Sequence, residues 1–223
     1  ANASWTIAGA GCPVSGTAYP GNTVGNTDSV VIQTGSVVTL NVSPTYTLGT
    51  ITFNDPNGTS NSITYSASES MTCGAITFNT PSANSNSILA VGSGTLSAAS
   101  VALASGTNGN RYTRLSISSG TVTITGNLTS AGTRSELTFT GAGTLNIGGN
   151  LGSGGTFTAS TGTVDFNGAG AQVVGDYAYH HLTTSGTGTK TLTLAAASVI
   201  GGNVTVGTGT NLTTAGDFTL GVT

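Results

Sequence analysis

The sequence predicts an all-β fold: a single-stranded, right-handed parallel β-helix (a solenoid) with an irregular N-terminal cap. Three observations carry that expectation. The chain holds 43 Thr, 26 Ser, 35 Gly and 18 Asn, more than half of its 223 residues, and charged residues are only 5%; an ordinary soluble domain carries about 25%. Apolar residues alternate with Thr, Ser or Asn in many short runs, which is the period of a strand with one dry and one wet face. The breaks between runs recur every ~20–27 residues, as stacked coils require. Strong helix formers are too sparse for a helical protein. A hydrophobic content of 36% with so little charge also argues against a disordered chain.

Residues 1–27 show no clean alternation and hold Trp5, Cys12, Pro13, Tyr19 and Pro20. They are expected to cover the first coil, whose open strand edge would otherwise invite aggregation. Residues 28–223 are expected to form the solenoid. Strands are predicted at 29–33, 37–42, 49–53, 63–65, 75–78, 87–91, 115–118, 121–125, 137–140, 144–147, 163–166, 189–194, 199–200, 204–206 and 218–220. Gly49-Thr50-Ile51-Thr52-Phe53 recurs 25 residues later as Gly74-Ala75-Ile76-Thr77-Phe78. The unit from Gly120 to Leu128 recurs 23 residues later, from Gly143 to Leu151. Ile200-Gly201-Gly202-Asn203-Val204 lies 53 residues beyond Ile147, close to two further steps. Gly, with Asn or Asp, is expected where the chain bends, because these residues tolerate left-handed backbone.

Three short strands and three turns account for such a coil. Stacking pairs the strands in parallel about 4.8 Å apart, so eight to ten coils would span about 40–50 Å. Val122, Ile124, Leu145, Ile147, Val164, Phe166, Leu192, Leu194 and Ile200 are expected to point inward. A pair of β-sandwiches is the competing architecture. Against it stand the direct repeats and the lack of a Cys-Trp-Cys spacing, since Trp5 precedes both cysteines.

Composition sets several functions aside. Four basic residues and a formal charge of −3 do not suit nucleic acid. No apolar run approaches the length of a membrane-spanning helix, and 6% aromatic residues do not suit the girdles of a membrane barrel. The chain begins with Ala, as a secreted chain does after signal-peptide removal. In that setting Cys12 and Cys73 form a disulfide candidate, with free thiols or an inter-subunit link as alternatives. A bridge would contribute about 4 kcal/mol in the chain-entropy model.

Residues 166–172, Phe-Asn-Gly-Ala-Gly-Ala-Gln, and 181–192, His-Leu-Thr-Thr-Ser-Gly-Thr-Gly-Thr-Lys-Thr-Leu, resemble the repeat units of large secreted bacterial surface proteins. Asp28-Ser29-Val30-Val31-Ile32 after the Trp5 region is similar to the start of their repeat domains. The resemblance covers most of residues 28–223. It implies a parallel β-solenoid of the adhesin or extracellular-filament type, and it carries over no catalytic residue.

No catalytic, cofactor-binding or metal-binding set is expected. The seven acids are scattered, though stacking could bring Asp165 near Glu136 or Asp176. His180 and His181 should point to opposite faces and cannot share one metal. The Gly-Gly-x-Gly-x-Asp repeat of calcium-binding coils is absent. Tyr177 and Tyr179 are candidates for a small aromatic surface. Thr-x-Thr at 121–123, 138–140, 156–158 and 191–193 raises ice binding; bulky middle residues and irregular spacing argue against it. The expected function is structural: a secreted or cell-surface protein that forms or decorates a bacterial filament or surface layer. Its copies would dock head to tail, with Trp5, Tyr19, Phe218 and Leu220 as assembly candidates. The alternative is a carbohydrate- or ice-binding adhesin module, with surface glycans as the partner.

Overall fold

Alternation sends every second side chain inward, and a computed structural model of the chain shows where they meet. It describes residues 6–7, 19–22, 24–25, 27–107, 109–192, 199–214 and 219–220. One continuous parallel ladder runs Val30–Ile32, Ile51–Phe53, Ser70–Phe78, Thr95–Leu103, Thr121–Ile124, Thr144–Ile147, Thr163–Phe166, His181–Thr184 and Val204–Val206, in that order. The first face holds the first halves of Ser70–Phe78 and Thr95–Leu103 and the strands from Thr121–Ile124 onward, whereas Val30–Ile32 and Ile51–Phe53 stack on Ile76–Phe78, the second half of Ser70–Phe78. Leu128–Ser130 joins the same ladder beside Thr95–Leu103. A second face stacks Val37–Leu40, Asn61–Tyr65, Ser87–Val91, Thr113–Ile117, Ser135–Phe139 and Thr156–Thr158. A third stacks Gln172–Val174, Gly188–Leu192 and Thr210–Thr214, and Val199–Ile200 pairs with Thr219–Leu220. The described residues thus form a parallel β-solenoid of about eight turns without helices. None of them forms a helix long and apolar enough to cross a membrane.

The repeats seen in sequence are stacking partners in space. Ile51 lies opposite Ile76, Thr121 opposite Thr144, and Leu128 opposite Leu151. One coil advances by as few as 18 residues, from Ala169 to Thr187, and as many as 27, from Asp55 to Ser82. The 201–204 unit departs from the expected register. Val204 lies opposite Leu182, in the column of Leu145, so this unit enters the first face where residues 149–151 leave it.

Met71, Leu96, Val122, Leu145, Val164 and Leu182 form one inward column and are buried. Removing a Leu or Val from water contributes about 1.5–3 kcal/mol each. Register also stacks Phe53 on Phe78, with ring centroids 4.2 Å apart and planes 6° from parallel. Of the nine residues predicted to point inward, eight are buried, and Leu194 lies outside the described residues.

The interior is not wholly apolar. Asn61, Ser87, Thr113 and Ser135 open four successive strands of the second face, lie in register, and are buried. Thr113 Oγ1 donates to Ala104 O at 2.6 Å, and Ser135 Oγ to Gly132 O at 2.6 Å. Thr113 and Ser135 thus bind turn carbonyls, Gly132 O accepting from Ser135 N–H as well, whereas the buried Ser87 Oγ has no partner among the described residues.

The glycines of the repeat have a different cause from the one expected. Gly94, Gly120, Gly143 and Gly162 each precede a first-face strand, and none has a positive φ. A Cβ on Gly120 would fall inside contact distance of Gly94 O, and one on Gly162 would strike the Phe139 ring. Small size at the crossing of coils selects Gly here. The repeated Asn residues act through their side chains: Asn127 Oδ1 accepts from Asn150 N–H, and Asn150 Oδ1 from Val173 N–H, each at 2.8 Å.

Candidate functional site

Register turns scattered Thr and Ser into ordered columns on the outward side of the first face. One column runs Ser70, Thr95, Thr121, Thr144, Thr163 and His181. Beside it run Thr72, Ser97, Thr123, Asn146, Asp165, Thr183 and Thr205. The apolar residues between the columns point inward, so their bulk does not roughen this face. Spacing that is irregular along the sequence becomes a regular rise of about 4.8 Å per coil. Both sequence arguments against a flat hydroxyl array therefore fail for this face.

Towards the last coils the surface becomes concave. A shallow groove of ≈ 280 Å³ is lined by Thr163, His181, Thr183, Asn203 and Thr205. The expectation that His180 and His181 face opposite ways is not met. His180 precedes the strand His181–Thr184, so strand alternation does not govern it, and the two rings meet edge to face at 4.3 Å. His181 Nδ1 accepts from Asn203 N–H at 3.0 Å, which puts the proton of the neutral ring on Nε2.

Asp165 and Glu136 lie on different faces. Asp165 has Asn146 and Thr183 as strand neighbours and accepts from Ser185 Oγ at 2.8 Å. Glu136 lies opposite Arg114 and Thr156, and accepts from Arg114 Nε at 2.8 Å. The Arg114 guanidinium also covers the Tyr112 ring at 4.4 Å. Asp165 and Glu136 therefore are not brought together. Glu69 is held below its ordinary pKa by Ser66 Oγ and Ala67 N–H, each donating at 2.7 Å. What burial Asp55 has would raise it, but hydrogen bonds from Ser82 and Asn57 outweigh this and lower it. Both acids pin turns. Among the described residues no group of three or more His, Cys, Asp or Glu is placed to hold a metal.

Lys190 escaped the sequence reading. It is buried, and its Nζ donates to Gly168 O at 2.7 Å, Gly170 O at 3.0 Å and Thr187 O at 2.9 Å. Burial lowers its pKa, and Asp165 opposes that. Gln172 lies opposite it one coil earlier and donates to Ile147 O at 2.8 Å and to Gly149 O. The inward alternation from Lys190 to Leu192 was legible, but a charged residue is not normally assigned to a core.

The tyrosine pair is not a surface platform. Tyr179 is buried, and its hydroxyl donates to Gly175 O at 2.7 Å. Tyr177 is half-buried against Phe157, with its hydroxyl on Gly152 O at 2.7 Å. Tyr19 is half-buried. Trp5, Cys12 and Phe218 lie outside the described residues, and the Leu220 backbone pairs with Ile200. Among the described residues Cys73 is buried and unbridged, and burial pushes the pKa of its thiol up to about 12. The candidate bridge to Cys12 stays an expectation. No family model, no curated protein and no solved structure matches the chain.

Proposed function

We propose that this chain is a secreted structural protein, a rod whose copies dock head to tail in an extracellular filament or surface layer. The observation that carries the reading is the continuous parallel ladder, a stack that the same strand pairing can extend from copy to copy. In the inward columns most earlier members are buried, yet Val206 is 50% exposed and Val204 and Leu212 are only partly covered. No strand among the described residues pairs with the outer edge of Val204–Val206. Such an edge accepts another strand unless something blocks it, and no Lys, Arg or Glu lies within residues 191–223 to do so. At the opposite end, Thr6–Ile7 pairs antiparallel with Val30–Ile32. Pairing of the Val204–Val206 edge with the Thr6–Ile7 side of another copy would be heterologous and would propagate into a filament. The resemblance to secreted bacterial surface repeats supports an extracellular setting. Electron microscopy of the purified chain tests the reading. Wild type should form fibres, whereas Val206→Lys should remain folded by circular dichroism and stay unassembled. Fibres of unchanged axial repeat from Val206→Lys would refute the docking mode.

A further inference from the structure

We propose that the groove lined by Thr163, His181, Thr183, Asn203 and Thr205 binds a neutral glycan chain laid along the coil axis. This binding does not depend on whether copies join into a filament. The groove spans three successive coils, because Thr163 lies opposite His181 and Thr183 opposite Thr205. Its hydroxyls both donate and accept, the Asn203 amide does the same, and the His181 ring has Nε2–H to donate. The lining carries no carboxylate, guanidinium or ammonium. A phosphate or sulfate would find no fixed cation there, and a divalent metal would meet a single flanking carboxylate, Asp165 opposite Thr183, which already accepts from Ser185 Oγ. Vicinal hydroxyls of a sugar are neutral and alternate donor with acceptor, so they match this lining.

The lining is also preorganised. The backbone ladder fixes the positions of the three threonines, and the Asn203 N–H bond with the His180 contact fixes the imidazole. Little ordering entropy is then lost on binding. The concavity favours a chain over a flat solid such as ice, and the columns running back through Thr144, Thr121 and Thr95 extend the track.

Two-dimensional NMR titration of the ¹⁵N-labelled full chain with cellohexaose and with chitohexaose tests this. At least one probe should produce saturable shifts centred on Thr163, His181, Thr183, Asn203 and Thr205. Thr205→Val and His181→Ala should each weaken that binding at least tenfold while leaving the remaining spectrum in place. Thr52→Val, outward on a different stack that runs through Thr77 and Ala102, should leave affinity unchanged. No saturable shift with either probe, or shifts centred elsewhere, would overturn the proposal. Shaping of ice crystals without glycan binding would also overturn it and assign the face to ice.

Discussion

Lys190 shows how a single residue can hold a corner of the solenoid. Its three carbonyl partners belong to turns of adjacent coils, so losing the ammonium removes the donor shared by Gly170 O and Thr187 O, while Gly168 O keeps the Thr187 N–H. A buried acceptor left without a donor costs about 1–3 kcal/mol. Lys190→Met should therefore lower stability by at least that much in urea denaturation, although Met fills similar volume. An unchanged midpoint would mean that water replaces the ammonium. Cys73 sets a pH limit. Burial raises its pKa from 9.0 to about 12, so between those values the unfolded chain loses the proton first. Stability should fall as pH rises through that window, by up to about 1.4 kcal/mol per unit. Cys73→Ala should flatten that part of the profile, and an unaltered slope would count against a free buried thiol.

At the scale of the element, Gly120 separates two accounts of the turn glycines. Where φ is ordinary and space is free, Gly→Ala stabilises by about 0.4–1 kcal/mol by restricting the unfolded chain. Here the new Cβ would meet the backbone of Gly94, one coil earlier. Gly120→Ala should instead destabilise by about 1–3 kcal/mol, the usual penalty of overpacking. A gain in thermal midpoint would contradict the close-approach reading. The strands themselves were largely legible. Those from Thr144 to Ile147 and from Thr163 to Phe166 match the predicted bounds, because Thr-apolar alternation is unbroken there. Thr95–Leu103 was missed, since its Ala and Ser residues blur the contrast between dry and wet faces. Leu128–Ser130, Thr156–Thr158 and Gln172–Val174 are too short to show a period. The outward columns were not legible either: Thr95, Thr121 and Thr144 become neighbours only through stacking, and coils of unequal length hide that in the chain.

Across the whole molecule, identical spacing along the axis and few charges set the behaviour. Each coil touches mainly the coils before and after it, so stability accumulates by neighbour contacts. Arg114–Glu136 is the one ion pair found among the described residues, with side chains 31% and 16% exposed, and a single pair that water still reaches contributes about 0–1 kcal/mol. Stability in 0.05 M and 0.5 M NaCl should therefore agree within about 1 kcal/mol, and a larger change would reveal electrostatic support that the structure does not contain. Eight coil steps at about 4.8 Å give the described stack a length of about 40 Å, and the proposed docking step would lengthen the repeat slightly. Head-to-tail growth keeps every strand perpendicular to the fibre. Side-by-side growth would not tie the axial repeat to the length of one solenoid. Fibre diffraction from aligned assemblies of the purified chain tests this most directly. Head-to-tail docking predicts a meridional reflection at about 4.8 Å together with an axial repeat of about 40–50 Å. Strand spacing on the equator, or material that stays monomeric at every concentration, would contradict it.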